Sequence, residues 1–298
     1  MFGIGTTQTG ALTRPVKRKW KMNPFQSVGV SMTAWVQADI GLRYHSIMLP
    51  YGGTTMTPAH MSSVRLKLNN ETVWNLTGAR IDTLNQFDGL PAASTYGALV
   101  LNFERLGLID HIKRYDTAIN TGVPCRQAPN GINNMRIEVD IDSGAVAPTL
   151  GQPQGIVSPP NKDQGNFILR RTTYTENVPG SASAEFQFIN KFNQKPNEPN
   201  LSRLYIEETA ANLTNLRLNT NGTDDANISS ALNNTDIAMS NIRKVNTGVV
   251  IWDSAADGNY NNYLRIGNAK TFNVYIIDSN ANASLAVVAE TLGNVTAA

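Results

Sequence analysis

Residues 136–142 read RIEVDID and set Glu138, Asp140 and Asp142 two apart. Strand side chains alternate between faces, so this spacing puts three carboxylates on one side and Ile137, Val139 and Ile141 on the other. Such a row suits a calcium ion or a contact with another subunit, because calcium takes hard oxygen ligands. It also suits the solvated face of an edge strand, where charge discourages unwanted pairing, and the balance favours that plainer reading. A second acidic stretch, DSAADGNYN, carries Asp253, Asp257 and Asn259. It lacks the spacing and closing Glu of an EF-hand. A structural calcium ion is the one cofactor left open; otherwise none is expected.

Other reactive groups form no constellation. His45, His60 and His111 show neither i,i+4 spacing nor H-E-x-x-H, and read as loop or edge residues. Cys125 is the only cysteine, so no intrachain disulfide forms, and nothing near it nominates a base. GIG at residues 3–5 lacks the remainder of a phosphate loop. The chain is not expected to be an enzyme.

The charged feature above background is the segment TRPVKRKWKMNPF. It holds Arg14, Lys17, Arg18, Lys19 and Lys21 with no acidic residue. Residues 1–26 read as a basic arm with too little apolar material to fold alone. Trp20 and Phe25 could anchor it to a neighbouring surface. The arm could meet anionic lipid, nucleic acid or a neighbouring subunit. The whole chain carries a formal charge of only +2, so it is no polycation built for nucleic acid.

Short strands are what must position these groups. The chain has 298 residues, 34 of them Asn, and usage this turn-prone implies many short loops. SVRLKLNNETVWNL reads as two strands around an Asn69-Asn70 turn. GARIDTLNQF is the best short helix, with Ile81, Leu84 and Phe87 three apart. YGALVLNFER and RIEVDID follow as strands, and later SRLYIEE, TNLRLNTNG, TGVVIWDS, KTFNVYIID and SLAVVAE. ISSALNNTDIAM is at most a weak helix. The longest apolar runs fall far below the ~18 residues of a membrane span, and the N-terminus has no apolar signal region.

The order of elements repeats after about 150 residues. Leu66 and Leu68 precede one Asn turn; Leu216 and Leu218 precede another. Leu99–Leu101 pairs with Val249–Ile251, and Ile137 and Val139 pair with Leu285 and Val287. This reads as a duplicated all-β unit of sandwich or jelly-roll size: arm 1–26, first unit 27–142, linker 143–166, second unit 167–298. Pro148, Pro153, Pro159 and Pro160 lie in the linker and are expected to keep it out of both sheets and stiff, fixing the offset of the two units.

Three blocks then carry a resemblance across nearly the whole chain. They are LRYHSIMLPYGGTTMTPAHMSSVRLKLNNETVWNLTGARIDTL, then YGALVLNFER with NNMRIEVDIDSGAVAPTLG, then TFNVYIIDS with SLAVVAETLG. In this order they resemble the double jelly-roll major capsid proteins of tailless, icosahedral, membrane-containing bacteriophages. The corticovirus type is the nearest in pattern, and the related finnlakevirus type is the other candidate. The resemblance implies an all-β fold of two tandem eight-stranded jelly rolls with short helices in loops. It implies homotrimeric, pseudo-hexagonal capsomers that self-assemble into an icosahedral shell over an internal viral membrane. Partners would be neighbouring capsomers, penton and minor capsid proteins and that membrane, without sequence-specific nucleic-acid binding. The protein would be made in the host bacterial cytoplasm and reside in the virion. The stretch from Leu106 to Asn134 is long for this family and suggests a tower or inter-capsomer loop.

Two other readings stand beside this one. A two-domain β-sandwich spike could bind a receptor or glycan through Trp35, Trp74, Trp252, Tyr260 and Tyr263. A β-sandwich hydrolase would need an essential carboxylate pair, and no spacing marks one.

Overall fold

A computed structural model describes residues 16–163, 165–177, 185–188, 200–207, 213–245, 248–259, 263–267, 269–278 and 284–295. In the first half lie β1 (Arg18–Lys21), β2 (Thr33–Gln37), β3 (Arg43–Gly52), β4 (Met61–Leu68), β5 (Glu71–Leu76), α1 (Gly78–Phe87), α2 (Ala93–Tyr96), β6 (Ala98–Asn102), α3 (His111–Arg114), β7 (Ile119–Asn120), β8 (Met135–Ile141), β9 (Thr149–Leu150) and β10 (Gln154–Ser158). In the second lie β11 (Ile168–Asn177), β12 (Glu185–Phe188), β13 (Asn200–Glu207), β14 (Leu213–Thr220), β15 (Thr223–Ser229), α4 (Ser230–Met239), β16 (Val249–Asp253), β17 (Leu264–Arg265), β18 (Phe272–Asp278) and β19 (Ser284–Gly293).

Each half is a sandwich. In the first, the row β1-β10-β3-β6 faces the row β5-β4-β8-β2; in the second, β16-β13-β19-β11 faces β12-β18-β14-β15. This is the strand order of a jelly roll, written twice. Alternation fills each interior: Ile47, Leu49, Leu99 and Leu101 meet Val64, Leu66, Ile137 and Val139 in the first roll. Leu204, Ile206, Val287 and Val250 meet Leu216, Leu218, Val274 and Ile276 in the second.

The repeat is visible in the turns. Asn69 and Asn70 take φ of 48° and 69°, and Asn221 and Gly222 take 53° and 85°, the left-handed pair that a two-residue hairpin requires. A ten-residue helix follows each hairpin, capped by the Thr77 or Ser229 hydroxyl. The weak helix therefore forms in full as α4. One assignment changes. β8 and β18 hold the same place in their rows, so β8 corresponds to β18 and not to the strand of Leu285 and Val287.

The structure corrects three expectations about segments. Part of the basic arm is sheet: β1 pairs antiparallel with β10, Arg18 opposite Val157 and Lys21 opposite Gln154. Trp20 donates to Asp39 at 2.6 Å, and Met22 is buried, so the anchor surface is the chain's own first roll. The proline-rich linker does not stay out of the sheets. It supplies β10, which lies between β1 and β3, and β9. Pro148, Pro153, Pro159 and Pro160 fall outside these two strands, where no ladder donor is lost. The stretch from Leu106 to Asn134 is not a protruding tower. Leu106, Leu108, Tyr115, Ile119, Ala128 and Ile132 are buried, and the Gln127 amide donates to Ala118 O and, beyond the first roll, to Phe167 O at 2.7 Å.

Removing residues 1–22 would uncover β10 and empty the Met22 site. Loss of one buried methionine alone costs about 2–5 kcal/mol. The truncated chain is expected to unfold at a clearly lower denaturant midpoint; an unchanged midpoint would show that β1 is dispensable to the first roll.

Candidate functional site

The two rolls share one continuous sheet. β11 of the second pairs in parallel with β5 of the first, Arg171 opposite Trp74 and Thr172 opposite Asn75. The row β16-β13-β19-β11 is consequently covered on both faces. Leu204, Ile206, Val250 and Val287 point into the second roll, while Tyr205, Ile251 and Val288 join the core of the first. The near-continuous apolar runs of β16 and β19, VVIW and LAVVA, follow from that double burial.

Charged side chains sit in the same seam. Arg203 of β13 donates to Asp88 Oδ1 and to Asp253 Oδ2, each at 3.1 Å. Arg243 donates to Asp253 at 2.9 Å, lies 2.9 Å from Asp88, and reaches Leu106 O. Arg171 donates to Glu290 at 2.9 Å. These are three guanidinium groups against three carboxylates, and Arg203, Asp253 and Glu290 are 4%, 7% and 3% exposed. Aromatic faces close the seam: Arg171 lies 4.3 Å from the Trp74 ring centroid and Arg203 5.0 Å from that of Phe87. Trp74 donates to Leu169 O at 2.7 Å. Asp88, Phe87, Trp74 and Leu106 belong to the first roll, and the arginines to the second. Gly107 has φ of +83°, and a side chain there would collide with Arg243.

Burial alone would raise the Asp253 carboxyl. Arg203, Arg243 and the Ala255 amide more than offset it and hold the group at about 2. Glu290 is also lowered, burial being outweighed by Arg203 and Arg171. Burial pulls the Arg203 guanidinium down, but Asp253, Asp88 and Glu290 raise it overall. Asp253 and Glu290 are thereby held as carboxylates against the Arg203 guanidinium, and the arrangement binds the two rolls together.

The structure places the other expected site residues apart from this seam and from one another. β8 lies between β4 and β2 and is no edge strand. Glu138 is nearly buried beneath Arg65 and Lys67, each at 3.0 Å, and Asp140 is gripped by Arg65 and by Thr33 at 2.6 Å. Asp142 accepts from the Gly144 amide at 2.8 Å. Asp253 belongs to the seam, while Asp257 accepts from the Asn259 amide. Among the described residues no three His, Cys, Asp or Glu side chains are arranged to hold a metal ion. Arg14 lies outside the described residues. Lys17 bonds Glu104 and covers the Tyr115 ring, leaving Arg18, Lys19 and Lys21 exposed on β1. Of the aromatic set, Trp74 is buried, Arg136 covers Trp35 and Trp252 packs on the second core. Tyr260 lies outside the described residues, and Tyr263 meets Phe167 edge-to-face.

His45 is not a loop residue. It is buried in β3, with Nδ1 2.8 Å from Glu104 and Nε2 2.9 Å from Ser158 Oγ. The connectivity is that of a serine–histidine–acid triad. Ser158 is 1% exposed, so no substrate carbonyl can reach it. Burial lowers the His45 imidazole despite the Glu104 contact, and the cluster ties β3, β10 and Lys17 together.

Residues 19–152 match the viral coat protein P2 N-terminal domain, and residues 168–295 match the P2 C-terminal domain. The chain belongs to the viral coat protein P2 family. It is a capsid-forming viral coat protein, and its place is the virion capsid, among other capsid subunits. The fold is the double jelly roll. The chain is similar to the major capsid protein P2 from bacteriophage PM2, with a TM-score of 0.79 and 15% identity over 94% of this chain and 98% of that one. It is also similar to the STIV MCP (TM-score 0.62, 9% identity, 93% and 97% covered) and to the PBCV-1 virus capsid (0.60, 12%, 94% and 94%). No curated protein sequence matches it. The seam of this P2-family chain escaped sequence reasoning. Its signal was there: Arg203, Asp253 and Glu290 each interrupt or end an apolar run, and a charge in a doubly buried strand demands a partner.

Arg203→Met would leave Asp88, Asp253 and Glu290 under-neutralised in the seam. Breaking such a buried pair costs about 3–5 kcal/mol, to be read from denaturant melts. Because Asp253 is depressed, its contribution is present above the ordinary value of 3.8 and is lost as pH falls toward about 2. The wild type should destabilise through that window, and Asp253→Asn should flatten the slope there.

Proposed function

We propose that three copies of this chain form one capsomer, six rolls in a pseudo-hexagonal ring, and that such tiles build an icosahedral shell over a lipid bilayer. The observation that carries this is the locked pair: each chain supplies two rolls of the same strand order, joined through one sheet and a buried ionic seam. Three such blocks meet the geometry of a six-sided tile, since a heterologous contact that closes makes a ring. The first unit runs from β1 through β10 and the second from β11 through β19, with residues 159–167 as the connection. The tile is non-enzymatic. Synthesis in the host cytoplasm fits a chain with a single cysteine.

The bilayer contact falls at the end where β1 begins and β10 leaves its sheet. An opening of 320 Å³ there is lined by Lys113, Arg126 and Lys162, with Asp116 and Asp163. Each cation near an anionic surface contributes about 1 kcal/mol, and a lattice of tiles multiplies weak contacts into firm attachment.

Light scattering after size exclusion should give three times the 32.4 kDa chain mass, and micrographs of the material should show hexagonal outlines. A monomer at all concentrations, retained on a sugar column, would replace the tile with the binding-spike reading. Flotation with anionic but not neutral vesicles is expected; equal flotation with both would remove the electrostatic bilayer contact.

A further inference from the structure

The two rolls are the same body in two surroundings, and the difference exposes a docking surface. From β4 and β14 onward the hairpin and helix correspond without a gap: the turn pairs coincide, the caps Thr77 and Ser229 coincide, and Thr83 and Thr235 each bond the carbonyl one turn back, on Ala79 and Ala231. In α1, Arg80 and Phe87 reach the adjacent roll. Arg80 donates to Glu207 at 2.8 Å, Phe87 lies under Arg203, and its carbonyl accepts from the Lys244 amide. Leu232 and Met239 hold these positions in α4, and they are 63% and 76% exposed. The contact positions of α1 are thus apolar and bare in α4.

The strand beside each helix repeats the asymmetry. The outer edge of β5 is taken by β11, which ends its own row next to β19. The strand equivalent to β5 is β15, the last of its row, with its outer edge open among the described residues. The strand equivalent to β11 is β1, last in its row next to β10. The charges match: β1 reads RKWK with Arg18, Lys19 and Lys21 exposed, and β15 begins TDD with Asp224 and Asp225 exposed. Asp224 is shared with Arg217 at 3.2 Å, whereas Asp225 projects to solvent.

We propose that α4 and the β15 edge receive the first roll of a second copy of this chain, its basic β1 lying parallel to the acidic β15 as β11 lies along β5. This rests on the trimer reading above and names the contact that closes it. The arm strand is then a subunit clamp.

Leu232→Glu with Met239→Glu tests the helix face, since both side chains are exposed and their loss leaves each roll's core intact. Hot-spot truncations at interfaces weaken association by roughly 30-fold or more. The double variant should keep the far-UV spectrum of the wild type and run as a monomer where the wild type is trimeric. Asp225→Lys and Lys19→Glu test the strand edge: each should weaken the trimer alone, and the combination should restore it. A Leu232/Met239 variant that stays as trimeric as the wild type across the same concentrations overturns the docking face and leaves the trimer standing. A combined charge reversal that does not recover overturns the β1–β15 pairing. A wild-type chain that is monomeric throughout overturns the trimer itself.

Discussion

Three arginines and three carboxylates are withdrawn from water where the two rolls meet, and the shape of the molecule depends on their staying paired. A buried ion pair adds little net stability, because desolvation consumes most of the attraction. Its effect is on register. An apolar seam can slide by a residue at modest cost, whereas here a slide would strand Asp253, Asp88 or Glu290 in a dry interior without its guanidinium. The parallel pairing of β5 and β11 adds backbone bonds with the same directional demand. The offset of the rolls is set by this seam, not by the stiffness of the proline-rich segment, part of which is itself the strands β9 and β10 of the first roll.

The parts legible in the sequence were those set by local periodicity. Alternating Leu66 and Leu68, the Asn69-Asn70 turn and the three-spaced Ile81, Leu84 and Phe87 each report their own neighbourhood. Duplication was legible because alternating leucines before an Asn turn, and a short helix after it, recur about 150 residues apart. Strands β1 and β10 were not, since RKWK carries charges on an edge and QGIVS is short and bounded by prolines; only pairing with each other and with β3 makes them strands. The seam was hidden for a related reason. Asp88 and Arg203 are distant in the chain, and nothing local says that they meet. The triplet Glu138, Asp140 and Asp142 was conspicuous for its regularity, yet Arg65 and Lys67 across the ladder neutralise the first two.

A shell subunit must be rigid within itself and adaptable at its borders. The interior meets the first demand with two cores bridged by Tyr205, Ile251 and Val288. The border carries short open edges, Asn and Thr side chains and exposed Leu232 and Met239, which suit wet contacts that anneal as a shell grows. Duplication lets one chain present two similar bodies, so that the contact inside a chain can be repeated between chains. The buried Ser158-His45-Glu104 arrangement fits the same economy of purpose: a polar staple that holds the first strand in place, closed to any substrate.

The central claim is that both rolls and the seam form one cooperative body. Differential scanning calorimetry of the dissociated chain tests it most directly. A single transition is predicted, with the calorimetric enthalpy equal to the van't Hoff enthalpy. Two separable transitions, each with about half of the heat, would show two rolls that merely share a linker and would contradict it.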